Sequence, residues 1–248
     1  MSVRPAFAAL LVAALPAAAA DACRGTIYLT FDTGHMEPAA AIADILDRHG
    51  VKATFFLANE KTKRGDTSLD PAWAPYWKRL ADAGHAFGTH TWRHWYVGGD
   101  TAEGKVRYAP FRQKQGEMLD AKAFCEELKR PEEAFRAMTG RGFDGLWRAP
   151  GGKTSPKALE YARGCGFTHA GWSPAGFSGD ELPADKHPSD SLIARQARDI
   201  RDGDILLWHL GIWSRTDPLW PRLDGLIGQL KARGLCFARL TDDRRWIR

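Results

Sequence analysis

Several absences narrow the function before any motif is considered. No basic run with interleaved aromatic residues occurs, although the net charge is +5 and the pI near 9.1, so a nucleic-acid surface is not expected. Part of that positive excess sits in Arg244, Arg245 and Arg248 at the C-terminal end. Beyond the N-terminal region no apolar stretch approaches the roughly 20 residues that cross a bilayer, so no transmembrane segment is expected. Only four cysteines are present (Cys23, Cys125, Cys165 and Cys236), and no C-x-x-C pair suggests a zinc knuckle. Internal repeats, low-complexity tracts and linkers are missing too. What remains is a chain of 248 residues, 44% hydrophobic and 26% charged, with the composition of one globular domain.

The N-terminus carries Arg4, an apolar stretch from Ala6 to Leu15, Pro16 and a run of alanines ending at Ala20. This pattern predicts a secretory signal peptide over residues 1–20, a mature domain over 21–248, and a periplasmic or secreted location. The rival reading, a lipid anchor on Cys23, is disfavoured because Ala20-Asp21-Ala22 is a poor match to a lipidation site. In an oxidising compartment an even number of cysteines predicts disulfides. Cys23 is expected to pair with Cys236, because each opens a segment that reads as a strand and terminal strands often lie side by side. Cys125 with Cys165 follows by elimination. A mildly basic exported protein also suits an anionic envelope polymer, although solubility explains the charge equally well.

Hydrophobic spacing alternates between the two regular periods. Strands are predicted at 26–31, 51–57, 86–90, 145–148, 168–172, 204–208 and 236–240. Helices are predicted at 38–50, 73–83, 121–139 (which Pro131 would divide), 155–163, 192–200 and 219–233. Repeated βα units with short connections imply parallel strands, hence a barrel or a doubly wound sheet. Residues 95–116 break the rhythm and read as a long polar loop of functional kind.

The polar side chains of interest share one kind of place. Asp32 and His35 follow the first strand, His90 and His94 the third, Arg148 the fourth and His209 the penultimate one. In parallel α/β folds the carboxyl ends of the strands form a common rim where ligand sites are built, so these six residues should converge. His90-Thr91-Trp92-Arg93-His94 would put two imidazoles on one ion if the strand ran into a helical turn. Taken alone, two histidines four residues apart are more often incidental surface or core residues than ligands.

Around that pair stand Thr30-Phe31-Asp32-Thr33-Gly34 and Arg148-Ala149-Pro150-Gly151-Gly152, in matching order, with Lys52-Ala53-Thr54-Phe55-Phe56-Leu57 between them. With these segments the chain resembles, from about Thr26 to Asp242, the polysaccharide deacetylases of carbohydrate esterase family four, which remove acetyl groups from N-acetylated sugars. The resemblance implies an α/β fold, a distorted (β/α) barrel of about seven parallel strands. It implies Asp32 as the base that deprotonates water, and His90 and His94 as ligands of a divalent metal, zinc by their ligand type, that polarises the carbonyl. It further implies Arg148 as the holder of Asp32, His209 as the acid that protonates the departing amine, and an N–H near Gly151 for the oxyanion.

Two departures stand out. The family motif is Thr-Phe-Asp-Asp-Gly, whose second aspartate is the third metal ligand, and here that position is Thr33. A neutral hydroxyl supplies no charge and a weaker oxygen, so metal binding should weaken unless water, His35 or Glu37 fills the place. Members with asparagine at that position show that the change need not abolish activity. The second departure concerns the aspartate that braces the arginine: direct alignment gives Ser178, and a two-residue shift gives Asp180, which is preferred because an arginine fork needs a carboxylate.

Gly151 and Gly152, with Trp92, Trp95 and Trp213, are candidates for glycan binding, since sugar faces stack on aromatic rings, although most of the ten tryptophans should be packing residues. The expected function is therefore hydrolysis of N-acetyl groups on the amino sugars of a peptidoglycan, chitin-like or exopolysaccharide chain. The alternatives are a weak or inactive carbohydrate-binding protein on the same scaffold, or a hydrolase of another amide or ester. The partner is a glycan of the envelope or extracellular matrix.

Overall fold

The structure, a computed structural model, describes residues 23–113 and 115–246; the expected signal peptide lies outside them. Ten strands and six α-helices follow in chain order: β1 (Gly25–Asp32), α1 (Ala39–His49), β2 (Thr54–Leu57), α2 (Ala74–Asp82), β3 (Ala86–Thr89), β4 (Tyr96–Asp100), β5 (Val106–Ala109), β6 (Glu117–Leu119), α3 (Ala121–Thr139), β7 (Leu146–Trp147), α4 (Pro156–Gly164), β8 (Thr168–His169), α5 (Ser189–Asp199), β9 (Ile205–His209), α6 (Leu223–Ala232) and β10 (Leu235–Ala238). Seven strands form one parallel sheet, with β1 flanked by β9 on one side and by β10 and then β2 along the other, continuing through β3 and β7 to β8. A single parallel bridge, Phe177 with Leu207, brings the segment after β8 back to β9, so the sheet curls into the distorted barrel expected from the repeated βα units.

Residue alternation along β1 decides what the barrel presents. Ile27, Leu29 and Phe31 join the core cluster beneath α1, α2, α5 and α6, which contains Ile42, Leu46, Trp77, Leu226 and Leu230. Tyr28 belongs to a different cluster with Phe56, Leu146, Ala170 and Ile205. Successive side chains of a strand point to opposite faces, so Thr30 and Asp32 share the inner face with Tyr28. Each large apolar side chain packed this way contributes about 1.5–3 kcal/mol, enough to hold a polar residue at the end of the same strand.

Residues 95–116 are not a long loop. They supply β4 and β5, which pair antiparallel with each other and with β6. Val106 and Tyr108 point inward to a third cluster with Phe124 and Trp147, while Arg107 between them is exposed. α3 is also unbroken, although Pro131 lies inside it. A proline frees the carbonyl four residues earlier, and that carbonyl, Glu127 O, accepts the N–H of Trp92 at 2.8 Å. The expected break becomes a docking point for the segment carrying the histidine pair. Both expected disulfides are formed, Cys23 with Cys236 and Cys125 with Cys165.

Candidate functional site

Asp32, His90, Arg148 and His209 all lie at or just beyond the carboxyl ends of β1, β3, β7 and β9, and Asp32 and His209 are register partners across β1 and β9. The turn after Asp32 is tight: a Cβ on Gly34 would fall 2.0 Å from the carbonyl oxygen of Gly211, so only glycine permits this close approach between the two rim loops.

Asp32 is buried and held from two sides. Arg148 Nη1 donates to its Oδ1 at 2.8 Å, and His90 Nε2 lies 3.4 Å from Oδ2. The fork of Arg148 is completed by Thr30 Oγ1 at 2.8 Å, Ala170 O at 3.1 Å and Gly171 O at 3.0 Å, with the ring of Phe56 beneath the guanidinium at 4.2 Å. Burial lowers the pKa of Arg148 and Asp32 opposes that shift, but an arginine stays charged in either case.

This arrangement corrects the expected role of Asp180. Its carboxylate does not brace Arg148, whose needs are met by Asp32, the Thr30 hydroxyl and two backbone carbonyls. It lies instead against His209, accepting from the backbone N–H and lying 2.9 Å from Nδ1. Ser178, the other alignment, supports that loop by accepting the Asp180 N–H at 3.3 Å. Burial alone would depress the pKa of His209; the charge and hydrogen bond of Asp180, joined by Glu181 Oε1 at 3.2 Å from Nε2, outweigh it and hold the imidazole well above its usual value. Burial conversely raises the carboxyl of Asp180, and His209 more than offsets this, leaving it lowered.

The histidine pair is carried by an irregular turn rather than the helical turn expected, with Thr91 and His94 in the left-handed region at φ 64° and 54°. A β-branched residue is strained there, and the surroundings enforce it. The Thr91 hydroxyl lies 2.8 Å from Tyr108 Oη and donates to it, and buried Glu127 accepts from Arg93 N, Arg93 Nε and the Tyr108 hydroxyl. His90 Nδ1 faces the Arg148 carbonyl at 2.8 Å, so it carries the proton and its Nε2 is bare in the neutral ring. Burial, followed by the neighbouring His94, pushes His90 well below the usual imidazole value and keeps it neutral. His94 Nδ1 likewise faces Glu60 Oε1 at 3.2 Å, and its Nε2 points at His90 Nε2, 3.2 Å away.

With Nδ1 of each ring turned to an oxygen, the two Nε2 atoms face each other beside the Asp32 carboxylate. The nitrogen separation is that of two ligands sharing one ion with bonds of about 2.0–2.1 Å. Among the described residues no group of three or more His, Cys, Asp or Glu side chains forms a cage for a metal ion. The facing Nε2 atoms of His90 and His94 are a two-nitrogen donor set, which would suit an ion only with its other positions open. Thr33 does not extend it, since its hydroxyl donates to Glu60 Oε2 at 2.6 Å and accepts from Ala58 N. His35 does not either: its Nδ1 accepts from Glu37 N, its ring meets Trp213 edge-on, and burial followed by Lys63 lowers its pKa. Glu37 itself pairs with Lys63 at 2.6 Å.

A cavity of about 230 Å³ opens between His35, Asp180, His209, Gly211 and Trp220. Trp213 is 60% exposed close by, whereas Trp92 and Trp95 are packing residues with Arg130 and Arg93 over their rings. Gly151 and Gly152 both have positive φ, and a Cβ on Gly151 would fall 2.3 Å from the ring of Tyr96. Glu60, Glu127, Glu181 and Tyr96 were not expected at the site, since no local pattern sets them apart from ordinary surface residues.

Known proteins share this arrangement of segments. Over 220 residues the chain is 26% identical to the peptidoglycan-N-acetylmuramic acid deacetylase of Bacillus subtilis, covering 88% of this chain and 70% of that one. It is 25% identical over 228 residues to a chitooligosaccharide deacetylase of Azorhizobium caulinodans, covering 88% and 93%. Its fold matches that of a family 4 acetyl xylan esterase from Clostridium thermocellum in complex with cobalt, with a TM-score of 0.67, 22% identity and coverage of 88% and 89%. The sequence pattern of the polysaccharide deacetylases matches residues 19–170, ending before Asp180 and His209. Since that match takes in more than half of its length, the chain belongs to the polysaccharide deacetylase family.

Proposed function

We propose that the protein is an exported N-deacetylase that hydrolyses acetyl groups from the amino sugars of a cell-envelope or extracellular glycan. The observation that carries this reading is the pairing of opposite proton-transfer groups on one rim: Asp32, fixed by Arg148, and His209, its charged form favoured by Asp180. A pure binding surface has no need of both. Asp32 takes the proton of the attacking water, an N–H near Gly151 receives the developing oxyanion, and His209 Nε2 delivers a proton to the departing amine nitrogen. His90 and His94 would hold a divalent cation, zinc by the chemistry of imidazole ligands, which supplies carbonyl polarisation and a more acidic water when bound. Trp213, beside the cavity at His209, offers a face for a sugar ring.

Export rests on the sequence pattern of residues 1–20 and on two disulfides, which persist in oxidising compartments. Among the described residues no helix is long and apolar enough to cross a membrane. The similarity to deacetylases of peptidoglycan and of chitooligosaccharides supports an N-acetylated amino sugar as the acyl carrier. The test is acetate release from peptidoglycan fragments and chitin oligomers by the wild type, Asp32→Asn and His209→Ala. Both variants should lose at least about a hundredfold; full activity in both would refute the mechanism. Thr33 in place of a carboxylate favours a second reading, a glycan-binding protein without turnover. Retained glycan affinity without acetate release under any divalent metal would establish it.

A further inference from the structure

The carboxylate missing at position 33 has a counterpart after the neighbouring strand β2, 27 residues along the chain. Glu60, in the turn after β2, sends Oε2 to the Thr33 hydroxyl at 2.6 Å and Oε1 to His94 Nδ1 at 3.2 Å. Its backbone is fixed independently of both contacts. Glu60 N donates to Ser68 Oγ at 3.1 Å, Ser68 N donates to Glu60 O at 2.8 Å, and Ser68 Oγ donates to Ala58 O, with Ser68 fully buried. Glu60 is thus placed by its own loop, not drawn in by the histidine.

We propose that Glu60 is the positioning carboxylate of the metal site, taking over through His94 the negative charge that position 33 lacks. The proposal rests on the reading of His90 and His94 as the metal pair. With Oε1 3.2 Å from His94 Nδ1, the Glu60 carboxylate would orient the ring so that Nε2 faces His90 and raise its strength as a donor, as carboxylates behind metal-bound histidines do. Thr33 is the complementary half of the exchange. Its small side chain leaves room for the Glu60 carboxylate and its hydroxyl donates to it, whereas a carboxylate at position 33 would set two anions side by side. The charge has moved from a direct ligand to the shell behind one.

The experiment is a charge exchange read by metal binding rather than by turnover. Zn²⁺ affinity is measured by competition with a chromophoric chelator for the wild type, Glu60→Gln, Thr33→Asp and Thr33→Asp/Glu60→Gln. Circular dichroism and melting without metal show that each variant is folded, and Glu60→Asp serves should the amide disturb the loop. Glu60→Gln should weaken Zn²⁺ binding roughly ten- to hundredfold, and the double variant should recover most of the loss, because it returns one carboxylate to the site. At saturating Co²⁺ the visible d–d band of Glu60→Gln should keep the shape of the wild type, since the number of direct ligands is unchanged. Equal Zn²⁺ affinity in Glu60→Gln and wild type would overturn the proposal alone, as would a changed coordination number in the cobalt spectrum. A wild type with no divalent-ion affinity would overturn the metal reading beneath it.

Discussion

Replacing Asp180 with asparagine isolates the coupling on which the acid role of His209 depends. The carboxylate is buried and accepts two contacts of 2.9 Å from one residue, the His209 backbone N–H and the imidazole Nδ1. An amide of the same shape has no charge, and its single oxygen keeps at most one of these; its NH₂ group, turned to Nδ1, stabilises the neutral ring. Losing one hydrogen bond to a charged partner costs about 1.5–3 kcal/mol, which is about one to two pH units in the imidazole pKa at 1.36 kcal/mol per unit. Because Asp180 raises His209, the protonated acid survives to higher pH in the wild type, and its loss forms the alkaline limb of kcat/KM in the free enzyme. In Asp180→Asn that limb should move acidward by about one to two units, with activity below it partly retained. Glu181, 3.2 Å from Nε2, remains and limits the drop. The assay is acetate release from a soluble chitin oligomer from mildly acidic to alkaline pH. A limb that stays in place while the rate falls uniformly would refute the coupling and reduce Asp180 to a packing role.

Three further outcomes follow from the geometry. Arg148→Lys should be inactive and destabilised by about 3 kcal/mol or more, since a single ammonium cannot reach Asp32, Thr30, Ala170 and Gly171 together; denaturant midpoints and acetate release check this. His85, fully buried with Nδ1 accepting from Ala53 N, is lowered to about 4, mainly by burial. The unfolded chain therefore binds its proton first, so stability from this group is intact above about pH 6.5 and falls by up to about 3 kcal/mol as the pH drops to 4; His85→Gln should flatten that slope in urea titrations. Replacing Cys125 and Cys165 together by serine should cost about 4 kcal/mol by chain entropy over a sequence separation of 40, measured by thermal unfolding.

The features legible in the sequence are those whose cause is local. β1 and α1 were predicted to within about two residues because each buries a complete face, and the rim position of Asp32, His90, Arg148 and His209 followed from the strands alone. β4 to β6 escaped notice because Gly98 and Gly99, with a bulge between Val97 and Gly99, interrupt the alternation. Yet Val106-Arg107-Tyr108 carried a short inward-outward-inward signal in the sequence. Pro131 misled for a different reason. Its penalty in a helix assumes an orphaned carbonyl, and here the orphan is satisfied by Trp92, a partner that tertiary structure alone supplies.

Carboxylates were the least legible, and the site explains why. Asp180, expected to face Arg148, lies against His209, because sequence spacing cannot tell which of the two an acid faces. That depends on whether backbone carbonyls, here those of Ala170 and Gly171, already occupy the arginine fork. Glu60 is not legible as a partner of Thr33 because it is distant in sequence, whereas His35 and Glu37 are its neighbours along the chain. Both of those lie on the β1 side of the rim and are engaged by Trp213 and Lys63. A parallel barrel brings the end of β2 as close to Thr33 as its own loop, as the Thr33 N–H to Phe56 carbonyl bond at 3.1 Å records. A lost ligand in such a fold is therefore sought first on the neighbouring strand, where register fixes the distance, and only then along the chain.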